Sequence, residues 1–424
     1  MKRFDVRTTP IADVMRFLAR PANAERALSA QVAAILDCVR RTGDRALAKY
    51  SRQFDGHAPT SLLLSRAQLR AAANRTPRAV KRALQHAARN IETFHRASWS
   101  GTSRRVTVES GVTVWRAFRA VDRAGLYIPG GSASYPSTVL MCGIPARVAG
   151  CREIVAVTPP APDGLAPAVA LACEMLELDA CYQVGGAQAI AALAYGTKTI
   201  AAVHTIVGPG NAWVAEAKRQ VYGVVNIDLP AGPSEIMVVA DAAAQPAWIA
   251  ADLLSQLEHD PLAQAVCVCL HAKLLDAVAA QLTAQMRTLP RRAIIGQSLR
   301  TSTLIRATSR TSALEMINAY APEHLELMVT SPERWVPHIR HAGSIFLGPY
   351  ATEPLGDYAT GANHTLPTNR AARAFGPLGV DMFGKWMQVQ HVTRAGFARL
   401  ARTVTCLAQS EGFAAHARAV TIRR

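Results

Sequence analysis

The sequence predicts an α/β fold with two incomplete doubly wound domains and small helical segments at the N-terminus and C-terminus. Three observations lead to this prediction. The chain has 424 residues, of which 50% are hydrophobic, so it can bury more than one core. Short apolar runs alternate twice with helical runs of roughly ten residues. Gly-rich turns follow several of the apolar runs, as in Rossmann-like domains.

The first hundred residues are predicted to be mostly helical. Apolar residues recur at three- and four-residue intervals in two stretches, 29–56 and 76–97. The next stretch, 106–118, alternates between apolar and polar residues on both sides of a Gly turn, which predicts two strands. No residue pattern in this part of the chain points to chemistry, so it is interpreted as scaffold.

The first alternation of strands and helices follows the loop GLYIPGGSASYPS at 125–137, where bare backbone can approach a ligand closely. Ligands of doubly wound sheets bind at the carboxyl ends of the strands. Tyr127, Gln188 and Asn211 are each expected on a loop at or beside a strand end, and are predicted to line one crevice. The predicted elements are, in order, EIVAVTP, PAVALACEMLE, ACYQV, AIAALAYG, HTIV, AWVAEAKRQV and VVNIDL.

A second alternation begins at AGPSE, residues 231–235. It predicts a second α/β half, which could descend from a duplication, although no residue-level repeat demonstrates one. Its predicted elements are, in order, EIMVVAD, AWIAADLLSQLEH, AVCVCL, KLLDAVAAQLTAQM, TSALEMINAY, HLELMV and GSIFLG.

Composition restricts the class of protein. The formal net charge is +17, but the basic residues are mainly Arg and are spread along the chain without a long basic run. This favours an Arg-rich compositional habit over nucleic-acid binding. No apolar run reaches the ~18 residues that a membrane span needs. The eight cysteines lack Cys-x-x-Cys spacing and are interpreted as small core residues of a cytoplasmic protein.

The turn VGPGN, Val207 to Asn211, precedes a predicted helix, so its N–H groups could receive a phosphate. A tight turn without a ligand explains the same residues. Trp213 stands where the third Gly of the dinucleotide fingerprint belongs. Asp228 lies near the place of a ribose-binding acid, which is weak support for a nucleotide.

Gln256 and His259 stand three residues apart near the end of a predicted helix, DLLSQLEHD. Their side chains leave one face of the helix, where an oxygen and an imidazole nitrogen could hold two corners of a divalent metal site. An amphipathic helix with a solvated polar face is the alternative interpretation.

Three further segments carry side chains suited to chemistry. In the corner APEH, Glu323 and His324 precede a strand and could exchange protons, although a surface corner is the alternative. A long loop at 353–368 is predicted to be functional and contains Asp357 and His364. Near the C-terminus, Glu411 and His416 are five residues apart, so facing one site would require a helix break near Gly412.

These segments together resemble one family over nearly the whole chain. The N-terminal RTGDRALAKYSRQFD is similar to the same family, and eight motifs with matching separations form a specific signal. The motifs found in the order seen in histidinol dehydrogenases are GLYIPGGSASYPSTVLM, QVGGAQAIAALAYGT, IVGPGNAWVAEAKRQV, IDLPAGPSEI, DLLSQLEHD, APEHLEL, GDYATGANHTLPT and EGFAAHA.

The resemblance implies a zinc enzyme that oxidises L-histidinol to L-histidine through the aldehyde with two NAD. It implies a homodimer whose C-terminal segment crosses to the partner, so that Glu411 and His416 complete the neighbour's site. By motif position, the metal ligands are Gln256, His259, Asp357 and His416, which also line the substrate site with His324. The acid–base pair is Glu323 and His324; further substrate contacts are Ser234, His364 and Glu411; the NAD contacts are Tyr127, Gln188 and Asn211.

Some residues depart from the family pattern. Thr365 and Arg370 stand beside the substrate loop where an apolar and a smaller residue are expected, and His204 and Thr205 replace an acidic residue and a Lys. A Pro common before the loop at 125 is also missing. Two alternatives therefore accompany histidinol oxidation: a paralogous dehydrogenase of another small polar alcohol, such as a sulfonated diol, and a non-catalytic basic binding protein.

The chain is predicted to divide into 1–22, 23–126 with 234–378 (metal and catalytic residues), 127–233 (NAD side) and 379–424 (reaching the dimer partner).

Overall fold

The computed structural model describes residues 1–19, 24–101, 103–130, 133–229 and 232–424. The predicted boundary between residues 22 and 23, the tip of the 125–137 loop and the first residue of AGPSE lie outside these ranges. None of the helices in the described ranges is both long and apolar enough to traverse a bilayer. All eight cysteines are free thiols, and five are buried, as predicted for core residues.

Fourteen strands and sixteen helices follow one another along the described ranges. The strands are β1 (Lys2–Asp5), β2 (Val106–Glu109), β3 (Val112–Ala120), β4 (Arg123–Tyr127), β5 (Glu153–Thr158), β6 (Ala180–Gln183), β7 (Thr205–Val207), β8 (Asn226–Ile227), β9 (Glu235–Ala240), β10 (Gln264–Cys269), β11 (Thr303–Arg306), β12 (His324–Met328), β13 (Ser344–Leu347) and β14 (Gly384–Val392). The helices are α1 (Ile11–Leu18), α2 (Ala24–Thr42), α3 (Asp44–Phe54), α4 (Arg66–Ala73), α5 (Arg78–Ala97), α6 (Pro136–Ala149), α7 (Pro167–Met175), α8 (Gly186–Tyr195), α9 (Ala212–Val221), α10 (Pro246–Leu257), α11 (Ala272–Met286), α12 (Arg292–Ser298), α13 (Arg310–Tyr320), α14 (Glu353–Tyr358), α15 (Arg394–Ser410) and α16 (Ala414–Thr421).

Two parallel sheets form the body of the protein, and both have the same strand order. Sheet B contains β6-β5-β4-β7-β8, and sheet A contains β1-β11-β10-β9-β12-β13. If the five strands of each alternation are numbered 1 to 5 in chain order, their spatial order in both sheets is 3-2-1-4-5. Strand β1 is added at one edge of sheet A. The shared order is the topological repeat that a duplication would leave, although the residues themselves do not repeat.

Helices cover both faces of each sheet, which confirms the predicted α/β class. Alternate residues of β9, such as Val238 and Val239, pack into different apolar clusters on opposite faces of sheet A. Sheet B is likewise buried on both sides, as Ala156 and Val157 of β5 show. The near-continuous apolar runs of the sequence therefore correspond to strands with no solvent-facing side.

The two ends of the chain contain the predicted helices, and each end also contributes one strand that was not predicted. The first residues form β1, which pairs in parallel with β11. In the C-terminal segment, β14 pairs antiparallel with β3 over nine residues, and β3 also pairs with β2 in the three-stranded sheet C. Both missed strands lie at sheet edges, where one side remains partly exposed and the apolar signal is weak.

Helices α2 to α5 pack against sheet B, whereas α1 packs against sheet A. Val32 of α2 and Leu47 of α3 join the cluster on one face, and Leu69 of α4 and Ile91 of α5 join the cluster on the other. This packing differs from the predicted grouping of 23–126 with 234–378. The amphipathic helices carry no residue pattern that selects one parallel sheet over the other, which explains the difference.

One buried histidine connects α5 to the loop that carries His364. His95 is 2% exposed, and its Nε2 lies 3.5 Å from the side-chain nitrogen of Asn363, which donates to the Met141 carbonyl. Burial lowers the pKa of His95 to about 4. Below its unfolded pKa near 6.5, the unfolded chain binds a proton that the folded chain does not.

We therefore expect the free energy of unfolding to fall as the pH drops from about 6.5 to 4, with His95 contributing up to about 3 kcal/mol. Denaturant titrations across this range should show a smaller pH dependence in His95→Gln than in wild type. His86→Gln, at an exposed position of the same helix, serves as the matched control and should keep the wild-type slope. Equal slopes in wild type and His95→Gln would contradict this account.

Candidate active site

A break between α13 and β12 places Glu323 and His324. Helix α13 ends at Tyr320, Ala321 takes the left-handed conformation at φ 54°, and Pro322 prevents the helix from continuing. Strand β12 then begins at His324. Glu323 and His324 are 5% and 3% exposed, so the alternative of a solvated surface corner is wrong.

The pair is held by the backbone of β9. The Glu235 N–H donates to Glu323 Oε2 at 2.8 Å, and His324 Nδ1 lies 3.3 Å from the Glu235 carbonyl. A proton on Nδ1 satisfies that carbonyl and leaves the lone pair on Nε2. His324 Nε2 is buried without a hydrogen-bond partner and lies 3.6 Å from Asp357 Oδ1. The free nitrogen therefore faces the segment that carries Asp357.

Electrostatics separate the roles of the titratable groups. Burial raises the pKa of Glu323 to about 8. Burial opposes the charged form of His324, but the carboxylates of Glu323 and Asp357 outweigh it and raise its pKa to about 10. Asp357 is opposed by burial too, yet its interactions with His324 lower its pKa to about 2. Perturbed groups of this kind, clustered beside a free imidazole nitrogen, are typical of catalytic sites.

The structure brings two of the predicted metal ligands together and adds a third residue. One ligand atom from each of His259, Glu353 and Asp357 lies within 4.8 Å of the others. Burial lowers the pKa of His259 although the ring keeps an exposed edge, so its imidazole is neutral and free to coordinate at neutral pH. A nitrogen and two carboxylates form a donor set suited to a divalent cation such as zinc.

Gln256 does not lie on a solvated face of an amphipathic helix. It is 1% exposed near the end of α10, and both polar atoms of its amide lack a hydrogen-bond partner among the described residues. Leaving both atoms unpaired in the interior costs free energy, so such a group calls for a ligand. The Gln256 carbonyl accepts from the His259 N–H at 3.3 Å, which places the histidine one turn beyond.

Glu353 was missed because the stretch from 353 to 368 was predicted to be a loop. The first six residues instead form α14, which carries Glu353 and Asp357 four residues apart on one face. The i,i+4 spacing of two carboxylates was the signal that could have found Glu353. Helices this short lack the apolar repeat that identifies longer ones.

Two predicted substrate contacts border the same place. Ser234 directly precedes β9 and the Glu235 backbone that holds the acid–base pair. His364 Nδ1 lies 3.0 Å from the Asp357 carbonyl. These residues surround the amino ends of β9 and β12, whereas ligands of doubly wound sheets usually bind at the carboxyl ends. The site in sheet A therefore lies at the amino ends of its strands, whereas the topology alone predicts a site at their carboxyl ends.

The crevice predicted in sheet B coincides with the point where its strand order reverses. Tyr127 ends β4, and the turn to Asn211 follows the adjacent strand β7. Gln188 lies in the first turn of α8 rather than on a loop. Its side-chain oxygen Oε1 is buried without a hydrogen-bond partner among the described residues. The Gly186 N–H donates to the Tyr127 hydroxyl at 3.1 Å, which ties the tyrosine to the start of α8.

The VGPGN turn is fixed from inside the protein. The Gly208 N–H donates to Asp228 at 2.7 Å, Lys218 donates to the Gly208 carbonyl at 2.9 Å, and Lys218 forms an ion pair with Asp228. Asp228 is buried by these contacts, so its interpretation as a ribose-binding acid is wrong. Asn211 caps α9 by accepting from the Trp213 and Val214 N–H groups, which favours the tight-turn interpretation over phosphate binding at those amides.

The C-terminal residues do not reach this site within one chain. Glu411 caps α15, and Gly412, at φ 79°, ends that helix before α16 begins. The break that the spacing of Glu411 and His416 requires is therefore present. Both side chains are exposed, and among the described residues His416 is not a member of the group around His259.

The two residues beside the substrate loop that depart from the family pattern, Thr365 and Arg370, make contacts away from the acid–base pair. The Arg370 guanidinium donates to the Met15 carbonyl at 2.9 Å. The Thr365 hydroxyl is buried, 4.0 Å from the Cys142 sulfur. Both contacts explain why the chain can carry these residues without altering the acid–base pair.

The fold and the site define an α/β enzyme in which a buried Glu–His pair adjoins a cluster of metal-type ligands. The family model described as histidinol dehydrogenase matches residues 18–424. The chain belongs to the histidinol dehydrogenase family, and it is an oxidoreductase.

Relatives and a solved structure agree over the whole length. Histidinol dehydrogenase of Xanthomonas axonopodis pv. citri (strain 306) is 45% identical over 395 residues, covering 92% of this chain and 91% of that protein. The Xylella fastidiosa (strain 9a5c) protein of the same name is 44% identical over 427 residues, covering 100% and 99%. The crystal structure of histidinol dehydrogenase from Elizabethkingia anophelis superposes with a TM-score of 0.95 at 37% identity, covering 100% and 98%.

Proposed function

We propose that this chain catalyses the zinc-dependent, NAD-linked oxidation of L-histidinol to L-histidine through L-histidinaldehyde, as part of histidine biosynthesis in the cytoplasm. The observation that carries the proposal is the buried Glu323–His324 pair beside the group formed by His259, Glu353 and Asp357. The identity of the proposed substrate follows from membership of the histidinol dehydrogenase family. Eight free cysteines suit a reducing compartment.

The residues present fit a zinc ion. His259 and Asp357 offer a nitrogen and an oxygen within 4.8 Å of each other, and the unpaired amide of Gln256 offers a further oxygen. We assign the fourth protein ligand to His416 of a second copy of the chain. Zinc, when bound, orients the amine and imidazole of the substrate and assists as a Lewis acid.

The acid–base pair would move the protons of both oxidation steps. His324 Nε2 is free to accept the proton of the substrate hydroxyl because Nδ1 faces the Glu235 carbonyl. The two carboxylates raise the pKa of His324, so neutralising the Asp357 charge by a bound cation lowers it towards the range that a base needs. The pKa of Glu323 is raised to about 8, so its ionised form is a stronger base than an ordinary carboxylate and can take a proton from the water that hydrates the aldehyde.

The crevice of sheet B is the proposed site of NAD, which accepts the hydride. It lies at the strand-order reversal between β4 and β7, the usual place for a nucleotide in such sheets. Tyr127 and the unpaired carbonyl of Gln188 line one side, and Asn211 stands on the other. The two hydrogen bonds that Gly208 makes with Lys218 and Asp228 hold the turn beside Tyr127 in one conformation.

Gly208→Ala should therefore raise the KM for NAD by roughly tenfold or more, because a 1 Å displacement at a binding site can cost that much. A Cβ at Gly208 would lie 2.1 Å from the Tyr127 carbonyl, so the turn must move. Gly223→Ala is the matched control: its φ is also positive, but a Cβ there meets nothing within 4 Å. Equal KM values in the two variants would contradict the proposed crevice.

We propose that the enzyme is a homodimer whose C-terminal segments are exchanged. Glu411 and His416 are exposed in one chain, and they are accompanied by the exposed apolar side chains of Leu407 on α15 and of Phe413 and Ile422 at the two ends of α16. An apolar face of this kind needs a covering surface. Docking on a second copy would cover it and would bring the carboxylate and the imidazole to the neighbouring site.

Heterodimers of His259→Ala and His416→Ala chains test the exchange. With exchanged tails, one site per heterodimer is intact, so about half of the wild-type activity should return, whereas each parent is inactive. The two chains would be co-expressed with different tags, purified through both tags and assayed for NADH. A heterodimer as inactive as its parents would show that each tail serves its own chain.

Oxidation of a different polar alcohol, such as a sulfonated diol, is the alternative that Thr365 and Arg370 raise. The Arg370 guanidinium is already engaged by a backbone carbonyl, so it supplies no free cation for a sulfonate. The pKa values of Glu323 and Glu353 are raised to about 8, but Asp357, whose pKa is lowered to about 2, keeps a carboxylate charge in the site at neutral pH. Carboxylates repel an anionic substrate and attract the amine of histidinol.

A panel of alcohols assayed for NADH formation tests the substrate. We expect kcat/KM for L-histidinol to exceed that for sulfonated and uncharged diols by at least about 100-fold, the equivalent of a lost charge-assisted contact. Preference for a sulfonated diol would overturn the proposed substrate. Turnover of none of the alcohols would favour the non-catalytic alternative.

A further inference from the structure

Three segments that carry the candidate residues are joined by a buried polar network. Asp252 lies one turn before Gln256 on α10, and Glu326 lies two residues beyond His324 on β12. These spacings place each network residue on the same face of its element as the functional residue. The third segment is the start of α14, the helix that carries Asp357.

The network holds the first turn of α14 from two directions. The Thr352 hydroxyl donates to Asp252 Oδ1 at 2.7 Å, and the Glu353 N–H donates to Glu326 Oε1 at 2.7 Å. The Ser255 hydroxyl of α10 adds a contact to the Glu353 carboxylate at 3.2 Å. Because α14 has only six residues, fixing its start also fixes Asp357 at its other end.

Both acids of the network are buried, Asp252 at 8% and Glu326 at 1% exposure. One carboxyl oxygen of each accepts a hydrogen bond from the start of α14. The second oxygen of Glu326 is also buried, and no N–H or O–H group of the described residues donates to it. The contacts to α14 are therefore the interactions that these buried carboxyl groups make with the segment that carries Asp357.

We propose that Asp252 and Glu326 are positioning residues that set the separation of the α10, α14 and β12 segments around the metal. The inference rests on the proposed metal site and deepens it. Neither acid is needed to fill the core, since an apolar pair of similar size usually packs as well as buried polar groups or better. The bonds that the pair makes to Thr352 and Glu353 explain why polar side chains occupy these positions.

Glu326→Leu and Glu326→Gln separate this role from simple packing. Leu removes the acceptor for the Glu353 N–H, whereas the Gln side chain keeps a carbonyl oxygen that can accept from it. We expect the dissociation constant of Co²⁺ to rise at least about tenfold in Glu326→Leu, because losing a residue that positions the ligands of a metal usually costs that much in affinity. Glu326→Gln should stay within about threefold of wild type and keep the wild-type visible spectrum of bound Co²⁺.

Thr352→Val and Thr352→Ser provide a second comparison if Glu326→Leu fails to fold. Val removes the donor to Asp252 and Ser retains it, so only Thr352→Val should weaken Co²⁺ binding and change its spectrum. Wild-type Co²⁺ affinity in both Glu326→Leu and Thr352→Val, or equal losses in Glu326→Leu and Glu326→Gln, would overturn the inference. Failure of the wild-type protein itself to bind Co²⁺ would instead overturn the proposed metal site.

Discussion

Turnover of L-histidinol is expected to fall by roughly 10³-fold in His324→Ala, the range that loss of a positioned general base produces. His324 presents Nε2, which has no hydrogen-bond partner among the described residues, towards Asp357, while Nδ1 is held by the Glu235 carbonyl. Glu323 cannot replace it easily, because its carboxylate already accepts from the Glu235 N–H. Initial rates of NADH formation measure the change.

The zinc content separates a lost base from a damaged site. His324 is not among the proposed metal ligands, so His324→Ala should retain about one zinc per chain by elemental analysis. His86→Ala, at an exposed position on α5, is the matched histidine control and should keep wild-type rates. Unchanged turnover in His324→Ala would remove the base assignment.

Replacing His259 by alanine should remove the metal. His259 supplies the only nitrogen in the group that it forms with Glu353 and Asp357 among the described residues. Even the loss of a residue that only hydrogen-bonds to a metal ligand costs about 10- to 100-fold in metal affinity, so loss of this ligand should weaken zinc binding at least about 100-fold. Elemental analysis after dialysis, followed by zinc titration of the metal-free protein, measures the loss.

An exposed histidine in the same half of the chain provides the comparison. His271 precedes α11 and is not a member of the ligand group, so His271→Ala should bind zinc as wild type does. Zinc should restore activity to metal-free wild type and to His271→Ala but not to His259→Ala. Normal zinc content in dialysed His259→Ala would exclude His259 as a ligand.

The α/β class was predictable because its strands are buried on both faces. The runs IMVVA and AVCVC are apolar throughout, and each lies within a strand of sheet A. The edge strand β1, with the sequence KRFD, has no such run and becomes a strand only by pairing with β11. A strand of this kind depends on tertiary contacts rather than on local preference, so its sequence does not reveal it.

Part of the site was predictable for a different reason. The corner at Glu323 and His324 follows from Pro322 and the apolar strand beyond it, and the structure places it as expected. The meeting of His259 with Asp357 joins residues almost a hundred positions apart, so it came from the family resemblance rather than from spacing. The resemblance named no role for Glu353, Glu326 or Asp252, because their contribution depends on contacts that only the folded chain displays.

The amount of NADH formed per L-histidinol consumed tests the central claim most directly. The claim is that one site, built around Glu323 and His324, carries the alcohol through the aldehyde to the carboxylate. With excess NAD and a limiting amount of L-histidinol, the purified protein should form two NADH per substrate molecule and accumulate no free aldehyde. One NADH per L-histidinol with release of the aldehyde, or no NADH at all, would contradict it.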